Sequence, residues 1–425
     1  MKLYQKMSLS LILMIGTGAF AQELDANLQL RPRYEYRNGF KELMKDGSLP
    51  TSFVSQRSRL NFNFKQEKLK AKLTFQNIRV WGDVPTTTTS DKNGIALFEA
   101  WAQYDFNAKW SARLGRQVLS YDNQRIMGEI DWAQQGQSHD AALLTFKPNN
   151  HQLDLGFAVN SDAEKLYRDV NTASYKHMQY AWYHTSFSNL NMSLLFLNVG
   201  FQYNDALTSE LEIDNMQTFG TYLSYKKNKF DANLGVYGQT GKGKLVTENT
   251  SVSAWYGGLN LNYAFTDKFK AGLGYEYLSG KDQDDTDSKI KSFNPIFGTN
   301  HGFNGFMDYF YVGNYKNTVG LQDVFAKFTY ADNKWQFNAI PHVFMTAADV
   351  IDPTDITKKM DSYLGTEVDL TATYTLQKDI TITGGYSQMF GSDTMEVLKA
   401  GNKGYDNNWA WVMITINPRI FTTAK

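Results

Sequence analysis

The sequence predicts an all-β protein, a single transmembrane up-and-down antiparallel β-barrel of about 18 strands. Three observations predict it. Segments of roughly 9 to 12 residues with alternating apolar and polar side chains recur from Leu28 to Ile416. Helical periodicity is almost absent, and the connections alternate between short polar turns and long irregular loops.

The amino terminus carries an export signal. Lys2 and Lys6 precede the apolar run Leu9 to Ile15, and "GTGAFAQEL" supplies the small-residue site of a secretory signal peptide cleaved after Ala21. The apolar run is well short of the roughly 20 residues of a spanning helix. Residues 1–21 are therefore expected to be removed and 22–425 to form one barrel domain in the cell outer membrane, with no linker or second domain.

Composition narrows the classes further. With no cysteine, an exported chain has neither a disulfide framework nor thiolate chemistry. Lysine plus arginine and aspartate plus glutamate each number 43, so no general affinity for nucleic acid follows. No apolar run after the signal approaches a helical span, which excludes a helical membrane protein.

Clear strand patterns are "FKAGLGYEYLSG" from Phe269, "WQFNAIPHVFMT" from Trp335, "LGTEVDLTATYT" from Leu364 and "WAWVMITIN" from Trp409. Short turns fall at "KQEK", "NAK", "KPNNHQ", "SNL", "KKNK", "TDK", "ADNK" and "QKD". Between them lie longer connections near 38–52, 82–94, 119–137, 161–174, 201–214, 241–250, 280–318, 347–362 and 391–406. Eight turns and nine loops join eighteen strands, and this sidedness is that of an outer-membrane barrel with periplasmic turns and extracellular loops. A soluble sandwich would have shorter strands without sided connections.

The first strand, "NLQLRPRYEYRNG" from Asn27, fixes which face is which. Leu28, Leu30, Tyr34 and Tyr36 alternate with Gln29, Arg31, Arg33, Glu35 and Arg37. An arginine on the lipid face at mid-membrane costs about 2 to 4 kcal/mol, so the arginines face the lumen. The second strand repeats the pattern with Arg57, Arg59, Asn61 and Asn63 opposite Leu60, Phe62 and Phe64. Nine of the 11 arginines fall between Arg31 and Arg125. Arg79, Arg113, Arg116 and Arg125, in or beside the third and fifth strands, are expected to join one basic patch on the wall. Lumen-facing Glu35, Glu99, Asp105, Glu276, Asp323, Glu367 and Asp369 supply counter-charges. Two readings of the patch stand side by side: ion pairs that stabilise the wall, or guanidinium groups that attract anionic solutes. Trp81, Trp101 and Tyr121 serve either as interfacial girdle or as stacking surface for sugar rings. Pro32 and Pro341 fall inside strands, which predicts a bulge, a broken ladder or a late strand start.

The segments "SFVSQRSRLNFNF", "NIRVWGD", "EAWAQYDF", "RLGRQVLSYDNQRIMGEIDWAQQGQSHDAALLTF" and "FNPIFGTNHGFNGFMDYFYVGN" resemble the alginate export family of Gram-negative outer-membrane barrels, over roughly Gln29 to Ile416. The resemblance implies an 18-stranded barrel with an arginine-lined pore that passes an anionic uronate polysaccharide. On the matching positions it implies Arg31, Arg33, Arg57, Arg59, Arg79, Arg113, Arg116 and Arg125 as pore residues, with Glu99, Asp122, Asp131 and Asp140 as their carboxylate partners. It also implies possible periplasmic export partners beside the outer-membrane lipid. The chain departs from exporters that carry a long plugging periplasmic turn, since all eight turns are short; the loop 281–318 is the better candidate to fold inward as a gate. The family label also covers porins, so uptake of small anionic nutrients is the alternative function.

Other chemistry finds little support. None of the six histidines is at metal-ligand spacing. The run Asp282 to Asp287 reads as a solvated loop or a calcium contact. No outward polar cluster suggests an enzyme on the barrel wall, so the expectation is a non-enzymatic channel without cofactor.

Overall fold

The computed structural model describes residues 22–167, 174–205, 210–244, 249–311 and 315–423; the expected signal peptide lies outside the described residues. The chain is a closed antiparallel barrel of 18 strands. They are β1 (Gln22–Asn38), β2 (Thr51–Gln66), β3 (Leu69–Val80), β4 (Ala96–Asp105), β5 (Trp110–Gln117), β6 (His139–Phe146), β7 (His151–Val159), β8 (His177–Phe187) and β9 (Leu190–Asn204). The second half comprises β10 (Leu211–Lys227), β11 (Phe230–Lys244), β12 (Ala254–Ala264), β13 (Phe269–Leu278), β14 (Leu321–Ala331), β15 (Trp335–Met345), β16 (Tyr363–Gln377), β17 (Ile380–Gly391) and β18 (Asn407–Ile416). Each strand pairs with its sequence neighbours, and β1 closes the barrel against β18. The final segment Arg419–Thr422 continues that seam along the start of β1.

The eight short turns lie where the alternation ends, as expected. One loop is shorter than the sequence suggests: pairing of β9 with β10 extends to Asn204 and Leu211, leaving 205–210 rather than 201–214. The polar residues there alternate within strands that run on past the apolar band. The loop 392–406 contains a single short helix, α1 (Asp393–Lys399), capped by Ser392, whose Oγ accepts from the Met395 amide.

The outer surface is what lipid requires. Leu114, Leu155, Leu194, Leu234, Leu273, Val324, Leu370 and Val412 are exposed on outward positions, and Trp110, Phe187, Phe265, Tyr330 and Trp335 gather toward the turn end. Backbone groups in that band have no water to bond, so closure by the β1–β18 seam is the condition for the fold.

Both prolines sit in the same geometry. Pro32 pairs with Gln56 in an unbroken ladder to β2, whereas the ladder to β18 passes from Leu30 and Ile416 to Arg33 and Met413 with no pair between. Pro341 pairs with Val368 on β16, while the β14 ladder skips from Phe325 and His342 to Phe328 and Ala339. Each proline interrupts one ladder and leaves the other intact. Neither marks a strand start.

Two loops fill the barrel. Leu119, Ile126 and Met127 of the loop 118–138, with Phe293 and Phe297 of the loop 279–320, pack on Met178, Tyr180, Leu197, Tyr237 and Tyr256 of the β8–β12 wall. Met307, Tyr309 and Phe310 of the second loop pack on Phe344, Leu364, Met389 and Trp409 together with Leu43. Each such buried side chain stabilises the docked loop by about 1.5–3 kcal/mol. Outside these two clusters the open part of the lumen borders β1–β8.

Candidate functional site

The basic wall is built by register. Arg31 stands opposite Arg57 and Arg33 opposite Ser55, while Gln29 lies opposite Arg59. Period-two alternation puts Arg37, Arg33, Arg31 and Gln29 in one file on β1, with Arg57 and Arg59 beside it on β2. From Arg37 to Arg31 the file drops about 20 Å along the strand at ~3.4 Å per residue.

These guanidinium groups are covered by the loop 118–138. Asp131 Oδ1 accepts from Arg57 Nη2 at 2.8 Å and Oδ2 from Arg31 Nη1 at 3.1 Å, with Arg59 Nη1 at 3.8 Å. Arg31 Nη2 also donates to the Asp131 carbonyl at 2.8 Å, and Gln134 Oε1 accepts from Arg31 Nε at 3.2 Å. Arg33 lies over the Trp132 ring at 3.9 Å and donates to the Trp132 carbonyl at 2.8 Å. Its Nε holds Glu35 Oε1 at 2.9 Å, while Arg37 holds Glu35 Oε2 at 2.8 Å. Arg59 stacks on Phe98 at 3.7 Å and donates to Gln76 at 3.0 Å. The loop reaches this close because of Gly136: its φ is +65°, and a Cβ there would stand 2.8 Å from Arg59 Nη2.

Burial alone would raise the Asp131 carboxyl, but Arg57 and then Arg31 outweigh it and hold it below the ordinary carboxylate value. Asp131 is therefore an anion already seated among arginines.

The remaining arginines do not join this row. Arg113 faces the lumen below it, stacked on Trp101 at 4.2 Å and bonded to Gln103 at 2.8 Å. Arg116 lies three residues further along β5 and so on the outer face, paired with outward Asp140 at 2.7 Å. Arg79 pairs in register with Gln56 on the outward side of β3, where it meets Asp91 of the loop 81–95 and Asn77. The expectation that Arg116 and Asp140 line the lumen is corrected by this register; Arg79 is outward by register too and reaches only the rim of the upper cavity, away from the Arg31–Arg57 row. Trp81 is also outside, bonded to Gln56, whereas Trp101 and Tyr121 are inside.

Arg125 crosses to the far wall, binding Glu276 of β13 at 2.9 Å and Asn304 at 2.7 Å, and lies over Phe303 at 4.5 Å. Asp122 takes no arginine; it accepts from Trp182 Nε1 at 3.1 Å and from the Ser193 hydroxyl. Its burial pushes that carboxyl up against those two hydrogen bonds. Glu99 faces in but pairs with Lys72 and Trp101. A bulge between Thr74 and Phe75 turns both Phe98 and Glu99 inward.

Beyond β17 and β18 from the arginines stands an acidic wall: Glu276, Asp323, Glu367 and Asp369 on β13, β14 and β16, all buried. The tip of the loop 279–320 caps it. Met307 N donates to Glu367 at 2.8 Å, Phe306 N to Asp369 at 3.1 Å, and Asn304 Nδ2 to Glu276 at 3.0 Å. Asp323 is also held by His342 at 3.0 Å. The two loops meet where Trp132 stacks on His301, centroids 4.4 Å apart. The expected inward fold of the loop 281–318 is what the structure has; the equal role of the loop 118–138 was missed. A usable signal existed, because the inward file of β1 and β2 holds five arginines and the single buried carboxylate Glu35.

The docked loop 118–138 divides the open part of the lumen. Above it is a cavity of about 410 Å³ lined by Arg33, Arg37, Phe53, Trp132, Gln134 and His301. Below it, open toward the turns, is one of about 610 Å³ lined by Lys70, Arg113, Lys147, Asp154 and Trp182. Among the described residues no group of three or more histidine, aspartate or glutamate side chains is arranged to hold a metal.

A sequence model of the alginate export family matches residues 22–403. No curated protein is significantly similar. Among solved structures, the outer membrane protein OpdK of Pseudomonas aeruginosa superposes with a TM-score of 0.63 at 11% identity, covering 93% of this chain and 98% of its own. OccK2 (OpdF) of the same organism, solved in complex with glucuronate, gives 0.61 at 12% identity over 94% and 98% of the two chains. A BenF-like porin from Pseudomonas fluorescens Pf-5 gives 0.60 at 12% identity over 93% and 99%. Likeness at this identity is a likeness of fold.

Proposed function

The chain belongs to the alginate export family and is an outer-membrane channel, and from that premise we propose that it passes anionic saccharides, alginate-like, along the arginines of β1 and β2. The observation that carries the reading is Asp131, a carboxylate held by Arg31 and Arg57 at 3.1 and 2.8 Å. A wall that seats this carboxylate has the donors to seat a uronate's. Flux also needs release, and backbone carbonyls with Glu35 and Gln134 compete for the same donors.

Uptake of small anionic nutrients is the second reading. Cavities of about 410 and 610 Å³ on either side of a docked loop suit one or a few rings better than an extended polymer. Export is proposed to remove residues 1–21, which amino-terminal sequencing tests by a first residue of Gln22.

Planar-bilayer recording tests the main reading. Anion-selective conductance that oligo-uronates block and neutral oligosaccharides do not is the expected result. Replacing Arg31, Arg33, Arg57 and Arg59 together with alanine is expected to abolish the selectivity. Selectivity that survives overturns the arginine mechanism, and a barrel that never conducts overturns both readings.

A further inference from the structure

The cavity on the turn side is lined by more cations than its carboxylates pair with. Lys70, Lys109, Arg113 and Lys147 line it. Its carboxylates are all engaged: Asp105 with Lys70 at 2.7 Å, Asp154 with the Tyr121 hydroxyl at 3.0 Å, and Asp122 with Trp182 at 3.1 Å. Among the described residues, Lys109, Arg113 and Lys147 have no carboxylate within 4.0 Å. Lys109 and Lys147 stand on adjacent turns joined by a backbone hydrogen bond of 2.7 Å, at the mouth. Arg113 gives Nε and Nη2 to neutral Gln103 at 3.0 and 2.8 Å, which leaves Nη1 without a partner. Beside them are the rings of Tyr121 and Trp182, 4.8 Å apart.

We propose that this cavity is a binding site for a carboxylated sugar at the periplasmic mouth, with the carboxylate on Arg113 and the two turn lysines. Guanidinium geometry suits a carboxylate, and the lysines add charge that a neutral sugar cannot use. Gln103 and Gln152 line it with their amide nitrogens held by Asp105 and Asp154, and about 610 Å³ lies within the usual size of small-molecule sites. The site is separate from the arginine row, because the loop 118–138 lies between them: its residues Val118 to Asp122 border the lower cavity and Ile130 to Gln135 the upper. Its place on a conduction path rests on the channel reading; binding itself does not.

The test is tryptophan-fluorescence titration of the full detergent-solubilised protein with glucuronate, and with glucose as the uncharged control. Wild type binds glucuronate and not glucose. Arg113→Gln weakens glucuronate at least tenfold, Lys109→Gln with Lys147→Gln weakens it about threefold and flattens its salt dependence, and Arg116→Gln, on the outer face, leaves it unchanged. Glucose bound as well as glucuronate, or full affinity in both the Arg113 and the lysine variants, overturns the site. The lysines are on exposed turns, so their replacement reads the site even where Arg113→Gln fails to fold. Bilayer recordings of the same proteins separate the two readings. Anion-selective conductance with unaltered binding in both variants keeps the channel reading and removes this one; binding that depends on Arg113 in a barrel that never conducts does the reverse.

Discussion

Replacing Asp131 with asparagine should loosen the loop 118–138 and unmask the arginines. The carboxylate makes two charge-assisted hydrogen bonds, 2.8 Å to Arg57 and 3.1 Å to Arg31, among Arg31, Arg57 and Arg59, whose side chains are at most 10% exposed. Such bonds contribute about 1.5–3 kcal/mol each when buried, but the Asp131 side chain is 49% exposed, so solvent screening reduces this sum. A net loss of about 2 kcal/mol is a roughly 30-fold shift in the docking equilibrium. Docking is not abolished, since Arg31 and Arg33 still hold the Asp131 and Trp132 carbonyls at 2.8 Å. Single-channel recording should therefore show openings to a larger conductance, about 30-fold more frequent than in wild type, with greater preference for anions. Asp140→Asn, on the outer face, is the control. Equal opening frequency and equal ion preference in Asp131→Asn and wild type would refute the reasoning.

Three further outcomes follow from the same geometry. The Arg116–Asp140 pair is outward, with side chains 40% and 61% exposed, so alanine at both positions should change thermal stability by no more than about 1 kcal/mol and leave ion selectivity as it was; a lost selectivity would return Arg116 to the lumen. At Gly305, φ is +83° and a Cβ would stand 2.7 Å from Glu367 Oε2, so Gly305→Ala should destabilise the docked tip by about 1–3 kcal/mol and speed proteolysis of the loop 279–320 in the folded barrel; unchanged cleavage contradicts the capping of the acidic wall. Asp131 is held below the ordinary carboxylate value, so the docking it supplies is fully present above about pH 4 and is lost only as pH falls through its depressed value. Opening frequency should be flat from pH 8 to 5 and rise only at lower pH, in wild type but not in Asp131→Asn; a transition centred near neutrality would point to another group.

The strands were legible because lipid enforces a strict rule on them, and the same rule was sharp enough to exclude two arginines from the patch. Arg113 and Arg116 are an odd number of residues apart on one strand and must face opposite ways. Arg79 needed one more step, the register that sets it beside outward Gln56 rather than Arg57. What the pattern could not carry is the loop 118–138, which has no period and finds its partners 100 residues away, as Asp131 does with Arg31. Charge counting is the tool that reaches it: arginines buried on one wall without carboxylates require an anion from elsewhere.

That requirement links the two walls. Each file of like charges is met by a loop of opposite character, Asp131 and carbonyls over the arginines, Arg125 and backbone amides over Glu276, Glu367 and Asp369. Arg125 and Asp131 belong to one loop, so the segment that shields the basic wall is anchored on the acidic one. Burying a charge without its partner costs about 3–5 kcal/mol, so the loop cannot leave one wall alone without a replacement ion. On the proposed reading a permeating carboxylate is such a replacement on the arginine side, while Arg125 keeps the loop tethered to Glu276. That reading predicts a plug that an anion displaces locally and that returns when the anion moves on. Arg125→Gln in a barrel that still folds should therefore slow reclosure after each opening, whereas Asp131→Asn should make opening more frequent.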